Sequence, residues 1–124
     1  MPIEKFIETE FPFHKFLGIK VDKIETDSVR LYIPFKKELI GHADNEMIHG
    51  GVISTLADIC GGFAVWTQCE RNDFVATITL SVDYLRPATA RDLYAEAKVR
   101  LLGNKVGNAH ISIWSEGAPD VNVA

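Results

Sequence analysis

The chain has 124 residues, enough for one hydrophobic core but not two, so residues 1–124 are read as a single domain. Thirteen basic against 17 acidic residues leave a net charge of −4, which argues against a dedicated nucleic-acid or membrane-surface protein, since both need a basic excess. Two cysteines, Cys60 and Cys69, are too few for a disulfide scaffold, and His14, His42, His49 and His110 show no spacing suited to zinc, so the expectation is a cytoplasmic protein without a metal.

The N-terminus carries Glu4, Glu8 and Glu10 and lacks the basic start and apolar run of a secretory signal. Pro2 to Glu10 reads as a short helix with Ile3, Phe6 and Ile7 on one face, ended by Pro12. Phe11, Phe13, Phe16 and Leu17 then form an apolar plug over the core or a pocket edge, closed by Gly18. Ile19 to Glu25 and Ser28 to Phe35 alternate as two strands around a tight turn at Thr26-Asp27. Pro34 marks the end of the second strand, and Lys36 to Asn45 is polar enough to be a loop or short turn leading into His49.

His49 to Thr67 reads as one buried helix. Val52, Leu56, Ile59 and Phe63 recur at helical spacing, and so do Ile53, Ala57, Cys60 and Ala64, so the apolar surface covers more than one face. Asp58 is its only charge. On a helical wheel it lies beside Ser54, Gly61, Gly62 and Val65. Two glycines inside a helix cost roughly 1 kcal/mol each relative to alanine, so something at that face requires the space. A membrane span fits poorly, because an aspartate at a helix centre costs about 2.5–3.5 kcal/mol and four glycines interrupt the run. In a soluble core the carboxylate must be paired or used, and no Lys or Arg lies within a helical turn of it.

Glu70 to Asp73 is a polar turn. Phe74 to Leu85 then alternates strictly, with Ile78, Leu80, Val82 and Tyr84 opposite Thr77, Thr79, Ser81 and Asp83, and predicts a long strand broken at Arg86-Pro87-Ala88. Leu93 to Leu102 and Val106 to Ser115 alternate around a turn at Gly103-Asn104-Lys105, and the three segments are expected to form an antiparallel meander. The tail from Glu116 to Ala124 looks like the start of a further strand. The expected architecture is α+β, a curved antiparallel sheet of about five to six strands around one long helix.

These residues resemble the hot-dog-fold acyl-CoA thioesterases, especially the phenylacetate-pathway type of the 4-hydroxybenzoyl-CoA thioesterase superfamily. The resemblance runs through Leu17-Gly18-Ile19, Leu39-Ile40-Gly41, His49-Gly50-Gly51-Val52-Ile53, Leu56-Ala57-Asp58 and Tyr84-Leu85-Arg86-Pro87-Ala88. It implies a homodimer joined sheet edge to sheet edge, or a homotetramer built from two such dimers, and hydrolysis of an acyl-CoA thioester without cofactor or metal. It implies Asp58 as the catalytic carboxylate, the Gly50 N–H as the group polarising the carbonyl, and Thr77 as an assisting hydroxyl. The family's asparagine before the His-Gly-Gly has no counterpart at the same spacing: alignment on Leu39-Ile40-Gly41 brings His42 to one common location, Asn45 is the nearest asparagine, and the role falls to His42, Asn45 or neither.

The residue types agree with that chemistry. A helix N-terminus offers free N–H groups and a favourable dipole to a developing oxyanion, and glycine lets the carbonyl approach the backbone. Asp58 would activate water or attack directly. His49 would orient the loop. Arg86 and Lys105 are candidates for CoA phosphates, with Gly51, Ser54 and Pro87 completing the substrate-binding set, and Phe13, Phe16, Phe63 and Trp66 suggest an apolar or aryl pocket. A hydratase or dehydratase, and an acyl-CoA-binding module without catalysis, are the alternatives.

Overall fold

A computed structural model describes residues 1–70 and 73–124, so part of the polar turn expected at Glu70 to Asp73 lies outside the described residues. Two prolines each start a short helix: Pro2 precedes α1 (Ile3–Thr9), and Pro12 is the first residue of α2 (Pro12–Leu17). Pro12 therefore separates two helices rather than ending one in a loop, because a proline lacks only an N–H that a first helical turn leaves unbonded anyway. Gly18 ends α2 with φ at 79°, a left-handed cap whose N–H bonds the His14 carbonyl. The apolar plug is only half realised: Leu17 is buried and Phe11 half-buried, whereas Phe13 and Phe16 stack on one another in solvent.

The first hairpin forms as expected, with β1 (Lys20–Glu25) and β2 (Ser28–Ile33) joined through Asp27 at φ 75°. The stretch expected as a loop or short turn contains a 3-10 turn (Lys37–Leu39) and, beyond that expectation, a small ladder, β3 (Ile40–His42) with β4 (Asn45–Ile48). The central helix α3 runs from Gly50 to Trp66, followed by β5 (Leu93–Leu102) and β6 (Gly107–Ser115). The main sheet is antiparallel in the order β1-β2-β5-β6.

Alternation puts Val29, Leu31 and Ile33 of β2, Leu93, Ala95 and Ala97 of β5, and Ile113 of β6 into a core completed by Ile53, Leu56, Ala57, Cys60 and Ala64 of α3. The alanines and Gly61 bring helix and sheet close: a Cβ on Gly61 would stand 3.1 Å from Ile111 Cδ1. Cys60 donates its thiol to the Val29 carbonyl at 3.2 Å, and burial pushes that thiol up to about 12, which leaves it unreactive. Only this side of α3 is buried in a single chain. Val52, Asp58, Ile59, Gly62 and Phe63 are half-buried, so the sheet does not enclose the helix on all sides.

Phe74 to Leu85 departs most from the expected meander. From Phe74 to Tyr84 the backbone joins no ladder and makes no main-chain hydrogen bond to another described segment; only Leu85 is held, by the Val123 carbonyl at 2.8 Å. The segment runs antiparallel along α3, as three contacts in succession mark: the Trp66 indole donates to the Asp73 carbonyl at 3.3 Å, the Thr77 hydroxyl to Asp58, and the Tyr84 hydroxyl to the Gly50 carbonyl. Its predicted apolar face lies open to solvent, with Ile78 78% exposed and Phe74 at 90%. The tail meets the expectation of an incipient strand: Val123 and Ala124 exchange main-chain hydrogen bonds with Ile113 on the outer edge of β6. Among the described residues no helix is long and apolar enough to cross a membrane.

Candidate active site

The N-terminus of α3 opens onto a cleft of about 520 Å³ whose lining includes Gly41, His42, Asn45, His49, Gly50 and Tyr84, together with Arg86 and Pro87. The two strands β3 and β4 bring His42 opposite Asn45, so both candidates for the orienting polar group face the same cleft. The His42 Nδ1 accepts from the Asp44 N–H at 3.1 Å, so that bond leaves the other ring nitrogen unused.

His49 caps the helix. Its Nδ1 accepts from the Gly51 N–H at 2.8 Å, satisfying one of the donors that every helix start leaves unbonded and setting the proton on Nε2. A Cβ on Gly51 would meet that nitrogen at 3.0 Å, so the cap leaves little room for a side chain at Gly51. The Gly50 N–H has no partner among the described residues. Tyr84, which pattern alone assigned only to a strand face, packs over this glycine: its ring lies 3.5 Å from where a Gly50 Cβ would be, and its hydroxyl donates to the Gly50 carbonyl at 3.2 Å. The signal was present in the strict alternation ending at Tyr84, but only the path of the segment along α3 brings the ring to the helix start.

Asp58 lies elsewhere. Eight residues separate it from Gly50 on one helix, about 12 Å along the axis at 1.5 Å per residue. It is half-buried, and no Lys or Arg pairs with it among the described residues. The Thr77 hydroxyl donates to its carboxylate at 2.5 Å. A carboxylate holding one such bond and open to solvent on one side can take a proton from water or attack an electrophile. Ser54, one turn earlier, turns its hydroxyl back onto the Gly51 carbonyl at 3.1 Å.

The remaining candidates divide between the two ends of α3. Arg86 sits at the cleft and binds the Asn122 carbonyl through its guanidinium. Lys105 occupies the turn between β5 and β6, where the neighbouring Gly107 packs against Val65 near the helix C-terminus, so the two cations do not meet within one chain. Phe63 and Trp66 join Phe6, Phe11 and His14 in an aromatic cluster under the first two helices, from which Phe13 and Phe16 are absent. Among the described residues no three His, Cys, Asp or Glu side chains converge as a metal site would require.

Residues 45–121 match the thioesterase superfamily. A protein named as an esterase in Halobacterium salinarum is 43% identical over 101 residues, a match covering 79% of this chain and 66% of that protein. The medium/long-chain acyl-CoA thioesterase YigI of Escherichia coli is 27% identical over 118 residues, covering 85% of this chain and 76% of that one. Among solved structures, an X-ray structure of a thioesterase-superfamily protein superposes with a TM-score of 0.87 at 31% identity, covering 97% of this chain and 87% of the other. With its long helix laid on a curved antiparallel sheet and this match over more than half its length, the chain belongs to the thioesterase superfamily and has the hot-dog fold.

Proposed function

We propose that the protein hydrolyses an acyl-CoA thioester to the free acid and CoA, at sites shared between two subunits. The observation that carries this reading is the Asp58 carboxylate, unpaired by any described cation, held by the Thr77 hydroxyl and left half open to solvent in the middle of an apolar helix. The family supplies the reaction class, and the E. coli relative, named for medium/long-chain acyl-CoA, suggests the substrate class.

Gly50 and Asp58 of one helix, about 12 Å apart, are too far from each other to touch one carbonyl, so a complete site needs Gly50 of one subunit and Asp58 of another. A second copy also answers the unpaired backbone from Phe74 to Tyr84 and its exposed apolar side chains, which as a bare edge would invite aggregation. Two copies pairing along this segment form a homodimer with two equivalent sites, and dimers can pair further into tetramers.

In such a site the Gly50 N–H, at the positive end of α3, donates to the thioester oxygen and holds the oxyanion as it forms. Asp58 takes a proton from water as the water oxygen bonds to the carbonyl carbon; the C–S bond then breaks and CoA leaves as thiolate, which is protonated. If Asp58 attacks instead, its oxygen bonds to the carbonyl carbon, the C–S bond breaks to release CoA thiolate, and water then cleaves the mixed anhydride to the free acid and the restored carboxylate. His42 or Asn45 orients the water or the carbonyl, and Arg86 with Lys105 meets the CoA phosphates. Release of free thiol from acyl-CoAs of graded length is the test. Wild-type protein should turn over at least one, and Asp58→Asn should stay folded and lose turnover; an Asp58→Asn variant as fast as wild type would remove Asp58 from the chemistry.

A further inference from the structure

Gly61 and Gly62 are neighbours in sequence but not in purpose. A Cβ on Gly61 would stand 3.1 Å from Ile111 Cδ1, so a side chain there has to push that methyl aside by a few tenths of an ångström. A Cβ on Gly62 would meet nothing within 4 Å among the described residues. No left-handed φ is found at Gly62, and in a helix interior glycine is about 1 kcal/mol worse than alanine, so neither conformation nor packing among the described residues explains it. Gly62 lies one turn beyond Asp58 on the same face, about 6 Å further along the axis. The extended segment is tied to α3 on both sides of it, through Thr77 at Asp58 and through Asp73 at Trp66, and still leaves the space before Gly62 open. Val65 and Trp66 lie one turn further on, Val65 against Gly107 of the β5–β6 hairpin and Trp66 stacked on Phe6 at 5.8 Å.

We propose that Gly62 is a specificity-determining residue: the acyl chain of the substrate runs from the carbonyl carbon beside Asp58 across the open face of Gly62 toward Val65 and Trp66, and the missing side chain sets the chain length admitted. This rests on the thioesterase reading above. The chemistry of the path fits an alkyl or aryl group, since beyond Asp58 no charged side chain of α3 follows and Ile59, Phe63, Val65 and Trp66 are all half-buried, each with apolar surface left to cover. A gap of about 6 Å corresponds to on the order of five carbon–carbon bonds, so the block should fall on acyl groups longer than that while shorter ones still fit.

The test compares kcat/KM for acetyl-, butyryl-, octanoyl- and palmitoyl-CoA in wild type, Gly62→Ala and Gly62→Leu, with sedimentation of each variant. Gly62→Leu should lose at least tenfold more on palmitoyl-CoA than on the shortest acyl group that wild type hydrolyses, and Gly62→Ala should fall between. An unchanged profile, or an equal loss at every chain length, overturns the assignment. So does a Gly62→Leu protein that dissociates into subunits, because the open face would then belong to subunit packing. Wild-type protein that releases thiol from none of the four would instead overturn the thioesterase reading itself.

Discussion

The Thr77 hydroxyl donates to the Asp58 carboxylate at 2.5 Å, joining the middle of the central helix to a segment that pairs with no strand of its own chain. That one bond links the candidate chemistry to the part of the fold that a second subunit is proposed to complete.

Removing the carboxylate should cost far more than removing its partner. Asp58→Asn is expected to lower kcat by two to four orders of magnitude, the usual contribution of a positioned base. Thr77→Ala removes one hydrogen bond and should raise the barrier by about 1–3 kcal/mol. Steady-state kinetics on the best acyl-CoA measures both, and a Thr77→Ala enzyme with unaltered kcat/KM would reduce Thr77 to a tether of the segment.

Sites shared between subunits have a quantitative signature. Gly50→Pro removes the proposed oxyanion donor at a helix position where proline is tolerated, and Asp58→Asn removes the carboxylate. Unfolded together in equal amounts and refolded, they pair at random, and the mixed dimers each carry one intact site, about a quarter of all sites. Mixed dimers identified by mass but wholly inactive would rule out sharing. Sedimentation of the wild type should in addition give at least twice the 13.8 kDa chain mass.

The helix cap predicts a stability change separable from catalysis. His49→Ala leaves the Gly51 N–H without its acceptor and should destabilise the protein by about 1 kcal/mol in urea unfolding, whereas His49→Asn, whose side chain caps equally well, should restore most of it. Equal stability of all three proteins would show that the cap contributes nothing.

His14 gives the fold a pH dependence. It is buried, its ring stacks on Phe11 at 4.4 Å, and its Nδ1–H donates to the Ile7 carbonyl at 2.8 Å; burial, partly opposed by that hydrogen bond, holds its pKa below the usual 6.5. The unfolded chain therefore binds a proton near pH 6.5 that the folded chain takes up only at lower pH. Its contribution to stability is complete above pH 6.5 and lost as pH falls from there through the folded value. Melting temperature should fall from pH 7 to pH 5, less steeply in His14→Asn, which keeps a donor without the titration. Identical slopes in both proteins would mean that other groups govern the acid limb.

Local periodicity was enough to locate α3 within a residue at each end, the first hairpin, β5 and β6, because a core face repeats every 3.6 residues in a helix and every two in a strand wherever it lies in the fold. The eight-residue spacing of Gly50 and Asp58, and hence their separation, also followed from sequence alone, since helix rise is constant. Periodicity names a face but not the neighbour that covers it, and there the three-dimensional structure decided. Phe74 to Leu85 alternates like any strand, yet one chain offers it no ladder, so it lies along α3 with Thr77 on Asp58 and Tyr84 over Gly50. Phe13 and Phe16 read by their apolarity as part of a plug over the core or a pocket edge, and are exposed because α2 turns its other face, through His14 and Leu17, to the protein. Gly61 and Gly62 are indistinguishable as letters; the approach of Ile111 to one and the empty space before the other exist only once helix and sheet are packed.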